Sequence, residues 1–479
     1  MRKLTAFLLI SLFLLTTSNV AVSAQTRRQN DPKLPDVLIR NATIMTAANG
    51  TLENTDILVQ NGRIAKIGKA LKAASNAQVI DASGKFVTPG IVDCHSHTMI
   101  DGGVNEATYS ITSMVRVSDV LDPKDISIYR GLAGGVTAAN LLHGSANVIG
   151  GLNTVVKFKY GHPVEDFPVA DAPPGIKFAL GENPKRVGST PGRPVRYPIT
   201  RMGEMETIRD AFLRARDYRQ SWVDYRAKTA KNDKTAVQPR RNLELEPLVE
   251  VIEGKRLVHS HGYRSDEHLN LLLIADEFGF KVATLQHALE AYKIAPEIAR
   301  RGTAASIFAD SWGYKLEAFD SIPYNAYILW KNGVNVSINS DSDERMRRLN
   351  LDAAKMMKYG GVPEQDALKM ITLNPAKQLG IDRRTGSIEV GKDADIVIWS
   401  AHPFSVYSHV EMTMIEGETL FDRARDLLNR ANLAKERETL EKMDVNRTPS
   451  SGAATQPRIP SEKRQADRDE ADGRDGGNQ

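Results

Sequence analysis

The run Pro89-Gly90-Ile91-Val92-Asp93-Cys94-His95-Ser96-His97 carries the strongest chemical signal in the sequence. Apolar residues with a β preference lead into two histidines that are two positions apart. Because alternate residues of a strand point to the same face, this spacing predicts that His95 and His97 aim at one point. Two imidazoles that converge in this way can share a metal ion. A lone histidine is more often a structural group, and it is the pairing that favours a metal site.

Strands alternate with helices on the C-terminal side of this run. The β-prone runs are at residues 257–259, 281–285, 304–308 and 334–338, and helical patterns cover residues 267–278, 290–301 and 351–359. This alternation is typical of an α/β protein with a parallel sheet. At this length it favours a (β/α)8 TIM barrel over a doubly wound sheet. Barrel enzymes hold their catalytic groups at the C-terminal ends of the strands, where we expect His95 and His97. Residues 201–241 are charged and predict an inserted pair of helices.

Histidines and carboxylates also follow the later predicted strands. These positions are Glu182, His259, His261, His287 and Asp341. Each one alone is more often a capping or hydrogen-bonding group. Together they offer nitrogen and oxygen ligands at successive strand ends, a set that suits Zn²⁺ or a similar divalent cation. The other histidines have no partner at ligand spacing and are interpreted as surface or structural groups: His143, His162, His268, His402 and His409.

Three motifs resemble those of the amidohydrolase superfamily, and they occur in the order found in that family. Residues 89–97 resemble its PGxxDxHxH signature, residues 374–380 resemble a later motif, and residues 386–397 resemble its C-terminal signature. The most similar branch is related to imidazolonepropionase, with residues 181–186 as a branch-like motif. The resemblance covers roughly residues 36–421.

The resemblance implies a metal-dependent hydrolase barrel over residues 92–385. It also implies a small β-sandwich formed by both flanks, residues 36–91 and 386–422, where short β-prone runs and turn dipeptides recur. The implied metal ligands are His95, His97, His259, His287 and Asp341, with Asp341 also the catalytic base.

The ligand that would bridge two metal ions is less clear from the sequence. Glu182 is preferred over Lys177, because a carboxylate binds a metal without modification whereas the lysine would first have to be carboxylated. The resemblance makes His261 a substrate-binding residue, although His259 and His261 could exchange roles.

These residues predict a hydrolase that cleaves an amide-type C–N bond, other than a peptide bond, by means of a metal-activated water. The cofactor is expected to be one or two divalent metal ions, with Zn²⁺ favoured. A dipeptidase, lactonase or phosphotriesterase on the same barrel stays open as an alternative, and so does a binding protein that has lost catalysis. Cys94 lies beside the histidines but has no evident base, so we interpret it as a small buried residue rather than a nucleophile.

Composition narrows the choice of partner. The 479 residues include 63 basic and 59 acidic side chains, and the resulting net charge of +4 argues against a nucleic-acid-binding protein. The single cysteine excludes an intramolecular disulfide and a cysteine-rich zinc module. The expected partner is a small-molecule substrate, and a homo-oligomer is compatible with the sequence.

Both ends of the sequence are expected to lie outside the fold. Arg2 and Lys3 precede an apolar run that ends near Val22-Ser23-Ala24. Residues 1–24 therefore predict a signal peptide, and an exported, periplasmic or secreted protein that does not span the membrane after cleavage. Residues 423–443 predict a surface helix. Residues 444–479 have hardly any large apolar side chain, so we expect a disordered tail.

Overall fold

A computed structural model describes residues 34–188 and 195–444. The expected signal peptide at residues 1–24 lies outside the described residues, as does the expected disordered tail beyond residue 444, so both stay predictions. Among the described helices, none combines the length and the apolar character that are needed to cross a membrane.

The described chain contains seventeen strands and eleven α-helices. The strands are β1 (Val37–Met45), β2 (Thr51–Gln60), β3 (Arg63–Gly68), β4 (Gln78–Asp81), β5 (Phe86–Pro89), β6 (Ile91–Ser96), β7 (Val136–Leu141), β8 (Ile149–Leu152), β9 (Thr154–Lys157), β10 (Gly175–Ala179), β11 (Leu257–His261), β12 (Val282–Gln286), β13 (Ala304–Ile307), β14 (Val336–Ile338), β15 (Ile396–Trp399), β16 (Val410–Ile415) and β17 (Glu418–Asp422). The α-helices are α1 (Ile126–Ala133), α2 (Glu182–Gly188), α3 (Arg201–Ala230), α4 (Glu246–Ile252), α5 (Ser265–Phe278), α6 (Ala295–Arg301), α7 (Asn325–Lys331), α8 (Leu349–Gly360), α9 (Glu364–Lys369), α10 (Leu373–Gln378) and α11 (Arg423–Asp444). Short 3₁₀ turns cover Val117–Val120, Val164–Asp166, Ala291–Ile294, Leu316–Ala318 and Arg345–Arg348.

Strands from both flanks of the sequence pair in one eight-stranded sheet. Its order is β17-β16-β15-β5-β1-β2-β3, and β4 pairs in parallel with β1. The antiparallel pairing of β15 with β5 joins the two flanks. Buried side chains from both flanks, among them Ile39, Val87, Ile396 and Met414, form one apolar cluster. The division into a flank domain and a domain over residues 92–385 stays a prediction.

The inner strands form two further sheets. The larger has the order β14-β13-β12-β11-β10-β8, in which only the pairing of β8 with β10 is antiparallel. The smaller has the order β6-β7-β9, with β6 and β7 parallel. Strands β8 and β9, joined at Asn153, lie between β7 and β10 in sequence; β8 pairs with β10, and β9 pairs with β7. The α/β class is confirmed, while the closed (β/α)8 barrel stays a prediction because the strand ladders do not form one ring.

Hydrogen bonds at the C-terminal ends connect β6 with the residues that follow β14. The backbone N–H of Asp341 donates to the carbonyl oxygen of His95 over 3.2 Å. The Asp93 carboxylate accepts hydrogen bonds from the backbone N–H of Ser340 at 3.2 Å and from its hydroxyl at 2.5 Å. These bonds bring the first and last strand ends of the inner sheets together.

Most helices agree with the sequence patterns. The predicted helix at residues 267–278 is confirmed in α5, the one at 351–359 in α8, and the surface helix at 423–443 in α11. Pro296 lies in the first turn of α6, where its missing N–H leaves no hydrogen bond unmade. The prediction of two helices over residues 201–241 is wrong. Most of this segment forms one unbroken helix, α3, which begins after the Thr200 cap and continues for 30 residues.

Gly90 allows the chain to turn from the flank sheet into β6. A Cβ atom at this position would lie 2.0 Å from the hydroxyl oxygen of Thr137 in β7. Only glycine lets the backbone come this close. The Pro-Gly pair that opens the histidine motif therefore sets the packing of β6 against β7.

A buried ionic cluster ties β9 to the C-terminal flank. The Lys157 ammonium lies 2.6 Å from Asp393, 3.0 Å from Asp395 and 3.0 Å from Glu416. Burial lowers the pKa of Lys157, but the three carboxylates outweigh that effect and raise it above its ordinary value. The cluster thus keeps a buried lysine charged and holds the flank sheet against the inner strands.

We expect Lys157→Met to lower the free energy of unfolding by about 3–5 kcal/mol, because three carboxylates lose their shared cation in a buried setting. Urea denaturation at pH 7 measures this. Lys442→Met is the matched control, since the ammonium of Lys442 pairs with Glu438 on the exposed face of α11 and its loss should change little. Equal denaturation midpoints for the two variants would contradict the role of the cluster.

Candidate metal centre

Three side chains bring ligand atoms within 4.8 Å of one another: His95, His287 and Asp341. Nε2 of His95 lies 3.3 Å from Oδ1 of Asp341, and Nε2 of His287 lies 3.5 Å from Oδ2. His95 belongs to β6, whereas His287 and Asp341 follow β12 and β14. The strand ends thus bring together residues that are far apart in the sequence.

His97 points at the same carboxylate as His95. Its Nε2 also lies 3.3 Å from Oδ1 of Asp341. Its Nδ1 lies 2.8 Å from the carbonyl oxygen of Leu142, an acceptor that requires the proton on Nδ1. Nε2 therefore carries the lone pair toward the centre, as the alternation along β6 predicts.

Both His287 and Asp341 have left-handed backbone conformations, with φ of +57° and +49°. Residues other than glycine rarely adopt this conformation, which costs about 1–3 kcal/mol. Such conformations persist where the surrounding structure holds them and where they direct a side chain. His287 directly follows β12, and Asp341 follows β14 after Asn339 and Ser340, so the two conformations aim the side chains at each other from strand ends of the same sheet.

Asp93 supports this arrangement through hydrogen bonds that its carboxyl group accepts. Its side chain is fully buried, and it accepts hydrogen bonds from the N–H of His95 and from Ser340. Burial raises the pKa of Asp93 to about 7, although those hydrogen bonds oppose the shift. Asp93 lies two residues before His95, so the spacing that predicted the histidine pair also places it on the same face of the strand.

Several buried polar atoms at the centre have no hydrogen-bond partner among the described residues. They are Nδ1 of His95, Nε2 of His259, both ring nitrogens of His287 and Oδ1 of Asp341. An unpaired buried polar atom costs about 1–3 kcal/mol, and such atoms are rare in proteins. Imidazole nitrogens and carboxylate oxygens are the ligands that Zn²⁺ prefers. The residues present therefore fit a divalent metal ion.

The imidazoles are in the form that metal binding requires. Burial lowers the pKa of His287 to about 3 and that of His259 to about 4, and it takes the pKa of His95 well below its ordinary range. Burial raises the pKa of Asp341, but His287, His97 and Lys177 outweigh it and hold the pKa at about 2. At neutral pH the site thus offers neutral imidazoles and an ionised carboxylate.

Lys177 and His259 lie opposite each other on neighbouring strands. They are register partners in the parallel pairing of β10 and β11. Nζ of Lys177 is buried, 3.2 Å from Nε2 of His95 and 3.1 Å from the carbonyl oxygen of His143. His259 lies outside the group of three, with Nδ1 3.4 Å from the side-chain amide of Gln286.

Glu182, which we expected in preference to Lys177, lies elsewhere. It begins α2, and its carboxylate is 3.0 Å from the ammonium of Lys315. It is absent from the group of three, whereas Lys177 contacts His95. Residue type favoured Glu182, but the structure brings Lys177 to the centre because its strand, β10, runs beside β11.

His261 lies beside the centre and contacts the start of α2. Its ring centroid is 5.0 Å from that of His287 and 4.8 Å from that of Tyr263. Its Nε2 lies 3.2 Å from the side-chain amide of Asn183. Burial takes the pKa of His261 well below its ordinary range.

Aromatic rings cover one side of the site. Phe308 stacks on His287 with ring centroids 4.6 Å apart, and Tyr314 approaches both Phe308 and Tyr263. The Lys315 ammonium lies 4.1 Å from the centre of the Tyr263 ring. Sequence reasoning missed Tyr314 and Lys315, because the segment between β13 and α7 has no periodic pattern that links it to the site.

The remaining histidines are buried structural groups or lie near the surface, as expected. His143 and His268 are buried and contact the carbonyl oxygens of Gly144 and Gly262. The others lie near the surface and pair with glutamates: His162, His402 and His409.

Two buried glutamates hold the start of α2, and a third, Glu267, lies beside it. Glu204 accepts a hydrogen bond from the N–H of Gly181 at 3.0 Å, and Glu317 accepts one from the N–H of Glu182 at 3.0 Å. Arg201 pairs with both Glu267 and Glu317. A Cβ atom on Gly181 would lie 2.8 Å from the Glu267 carboxylate, so glycine lets the loop approach this group.

Comparison with known proteins identifies the family. The Amidohydrolase family model matches residues 324–420. The crystal structure of an amidohydrolase from Thermotoga maritima MSB8 shares 36% sequence identity with this chain at a TM-score of 0.73, over 81% of this chain and 100% of the other. This chain belongs to the amidohydrolase family.

Two curated relatives of this amidohydrolase agree with that assignment. Amidohydrolase tasK of Hapsidospora irregularis is 33% identical over 429 residues, which is 80% of this chain, but the match spans only 43% of tasK. The imidazolonepropionase of Thermoplasma volcanium is 23% identical over 404 residues, which is 78% of this chain and 92% of that enzyme. The expected resemblance to the imidazolonepropionase-related branch is confirmed.

We expect Glu204→Gln to flatten the dependence of stability on pH. Burial raises the pKa of Glu204 from 4.5 to about 8, so between these values the folded amidohydrolase binds a proton that the unfolded chain releases. Stability conferred by the protonated group therefore falls as the pH rises from about 4.5 to 8. Urea denaturation of wild type and variant at pH 5 and pH 8 measures this.

The matched control is Glu206→Gln, an exposed position on the same helix. It should keep the wild-type slope of stability against pH. A Glu204→Gln variant with that same slope would show that Glu204 is ionised throughout.

Proposed function

We propose that this amidohydrolase is a metal-dependent hydrolase that cleaves an amide-type C–N bond. The observation that carries the proposal is the convergence of His95, His287 and Asp341, whose ligand atoms lie within 4.8 Å of one another while several have no hydrogen-bond partner among the described residues. Neutral imidazoles beside an ionised carboxylate, set at the ends of parallel strands, are typical of a metal-dependent hydrolase.

His95, His97, His259, His287 and Asp341 would hold one or two divalent ions, and their chemistry favours Zn²⁺. When bound, such an ion supplies a Lewis acid for the substrate carbonyl and lowers the pKa of a coordinated water molecule towards about 7.

Asp341 is the general base and then the general acid in this proposal. Its carboxylate is ionised at neutral pH and keeps 21% of its side chain exposed, so it can accept a proton from the attacking water. The same carboxyl group then returns the proton to the leaving nitrogen. Breaking the C–N bond in this way releases an amine and a carboxylic acid.

Lys177 is the bridging ligand in this proposal, in place of Glu182. Its amine would add to carbon dioxide and lose a proton, which gives a carbamate with two ligand oxygens and one negative charge. Support comes from its buried Nζ, 3.2 Å from His95, and from its register with His259. Glu182 instead neutralises Lys315.

We further infer that the inner sheets form the wall of a (β/α)8 barrel over residues 92–385. The hydrogen bonds from Asp341 to His95 and from Ser340 to Asp93 support closure between β14 and β6. The flank strands, within residues 36–91 and 386–422, would form the β-sandwich. Export to the periplasm or the medium belongs to the same proposal and rests on the pattern of residues 1–24.

We expect Asp341→Asn to lose most of its turnover while the variant keeps much of its metal, because the amide oxygen can still bind but cannot take up a proton at neutral pH. The loss should be about 10²–10⁴-fold in kcat. Metal content is measured beside the hydrolysis of acyl-amino acids, dipeptides, cyclic amides, a lactone and a phosphotriester.

The substrate panel separates the proposed amidohydrolase from a dipeptidase, a lactonase and a phosphotriesterase. Turnover by Asp341→Asn at the wild-type rate would exclude the role of Asp341. Wild-type protein that binds no metal at any pH would favour a binding protein without catalysis.

We expect wild-type protein prepared with bicarbonate to carry the mass of one added carbon dioxide, and Lys177→Ala to lose it together with most of the metal. Native mass spectrometry and metal analysis measure both. Lys159→Ala is the matched control, since its ammonium pairs with Glu416 in the ionic cluster. The same added mass on Lys177→Ala would place the modification elsewhere.

A further inference from the structure

We infer that Asn183 is a positioning residue that fixes the tautomer of His261, and that Lys315 in turn fixes the orientation of Asn183. The inference rests on the proposed function, because it assigns the ring nitrogen that His261 offers to a substrate. Three side chains contact one another in sequence, from Lys315 through Asn183 to His261.

Lys315 decides which atom of the Asn183 amide faces it. Its ammonium lies 3.2 Å from Oδ1 of Asn183 and 3.0 Å from Oε1 of Glu182. An ammonium has three donors and no acceptor, so only the carbonyl oxygen of an amide can face it. The pair with Glu182 and the Tyr263 ring 4.1 Å away hold this cation in place.

The amide nitrogen of Asn183 must then face the opposite side. There Nδ2 lies 2.7 Å from the Ser145 hydroxyl and 3.2 Å from Nε2 of His261. An amide NH₂ group donates only, so Nε2 of His261 has to accept. A neutral imidazole that accepts at Nε2 carries its proton on Nδ1.

The loop that holds Asn183 is fixed independently. The backbone N–H groups of Gly181 and Glu182 donate to the buried carboxyl groups of Glu204 and Glu317. Asn183 follows directly in α2. These contacts keep the amide within reach of His261 without help from a ligand.

This tautomer determines what His261 can do. Nε2 is engaged by Asn183 and is not available to a metal ion, whereas Nε2 of His259 has no hydrogen-bond partner among the described residues. His261 is therefore left with an N–H at Nδ1. It can donate to an acceptor oxygen of the substrate, as a neutral imidazole does in other enzymes.

The first test is the ¹⁵N NMR spectrum of histidine-labelled holoenzyme loaded with Zn²⁺, in which His261→Gln identifies the His261 signals. We expect a protonated Nδ1 and an unprotonated Nε2 in wild type. The opposite tautomer would overturn the inference and leave the proposed hydrolase untouched. Absence of metal binding or turnover would instead count against the proposed function, and the tautomer could still be read.

The second test is Asn183→Asp. An aspartate has the same shape but only accepts, so it can face both Lys315 and His261, and Nε2 of His261 should then gain a proton. We expect kcat/KM on the best substrate of the panel to fall about 10²-fold, because a general acid–base or donor contact of this kind typically contributes that much to the rate. Metal content should stay at the wild-type level. Asn432→Asp, on the exposed face of α11, controls for the added charge.

Wild-type nitrogen signals and wild-type kcat/KM in a metal-loaded Asn183→Asp variant would refute the positioning role. If that variant does not fold, Lys315→Met takes its place. Removing the cation frees the Asn183 amide to rotate, so both tautomers of His261 should appear. A single unchanged tautomer in Lys315→Met would overturn the role of Lys315.

Discussion

The candidate metal centre buries polar atoms that have no hydrogen-bond partner among the described residues, and this burial costs free energy. Nδ1 of His95, Nε2 of His259 and both ring nitrogens of His287 are closed off from solvent near the Asp341 carboxylate, and no described residue hydrogen-bonds to them. Taking such atoms out of water is unfavourable unless something binds them. The left-handed backbone at His287 and Asp341 adds to that cost. A divalent cation would bind one nitrogen of each imidazole that faces it together with the carboxylate, and this would offset part of the cost.

The rest of the fold offsets this cost by holding the strand ends. Asp93 joins the start of the histidine motif to Ser340, beside Asp341. Lys157 joins β9 to the carboxylates of the C-terminal flank. Both contacts connect residues distant in sequence through buried charge. Asp93 lies in β6 with His95, whereas Lys157 lies in β9, two strands away in the same sheet. A rigid frame of this kind is what a preorganised site requires.

The candidate site was partly predictable from the sequence. The two-residue spacing of His95 and His97 was enough to predict their convergence, because the period of a strand is a local property. His287 and Asp341 were recognisable as polar residues after apolar runs. The choice between Glu182 and Lys177 was not predictable, since it depends on which of the two reaches His95. The uninterrupted helix α3 was also missed, because its charged sequence gives no sign of where it packs.

The sequence by itself determined the α/β class, most helices and strands, the family and the identity of the histidine pair. These follow from local periodicity and from motifs that each fit within a few residues. Only the tertiary structure decided that Glu182 pairs with Lys315, that Lys177 contacts His95, and that Asn183 links Lys315 to His261. The physical reason is that these contacts join side chains from different strands and loops. Their distances are set by how the strands and loops pack, which no local pattern records.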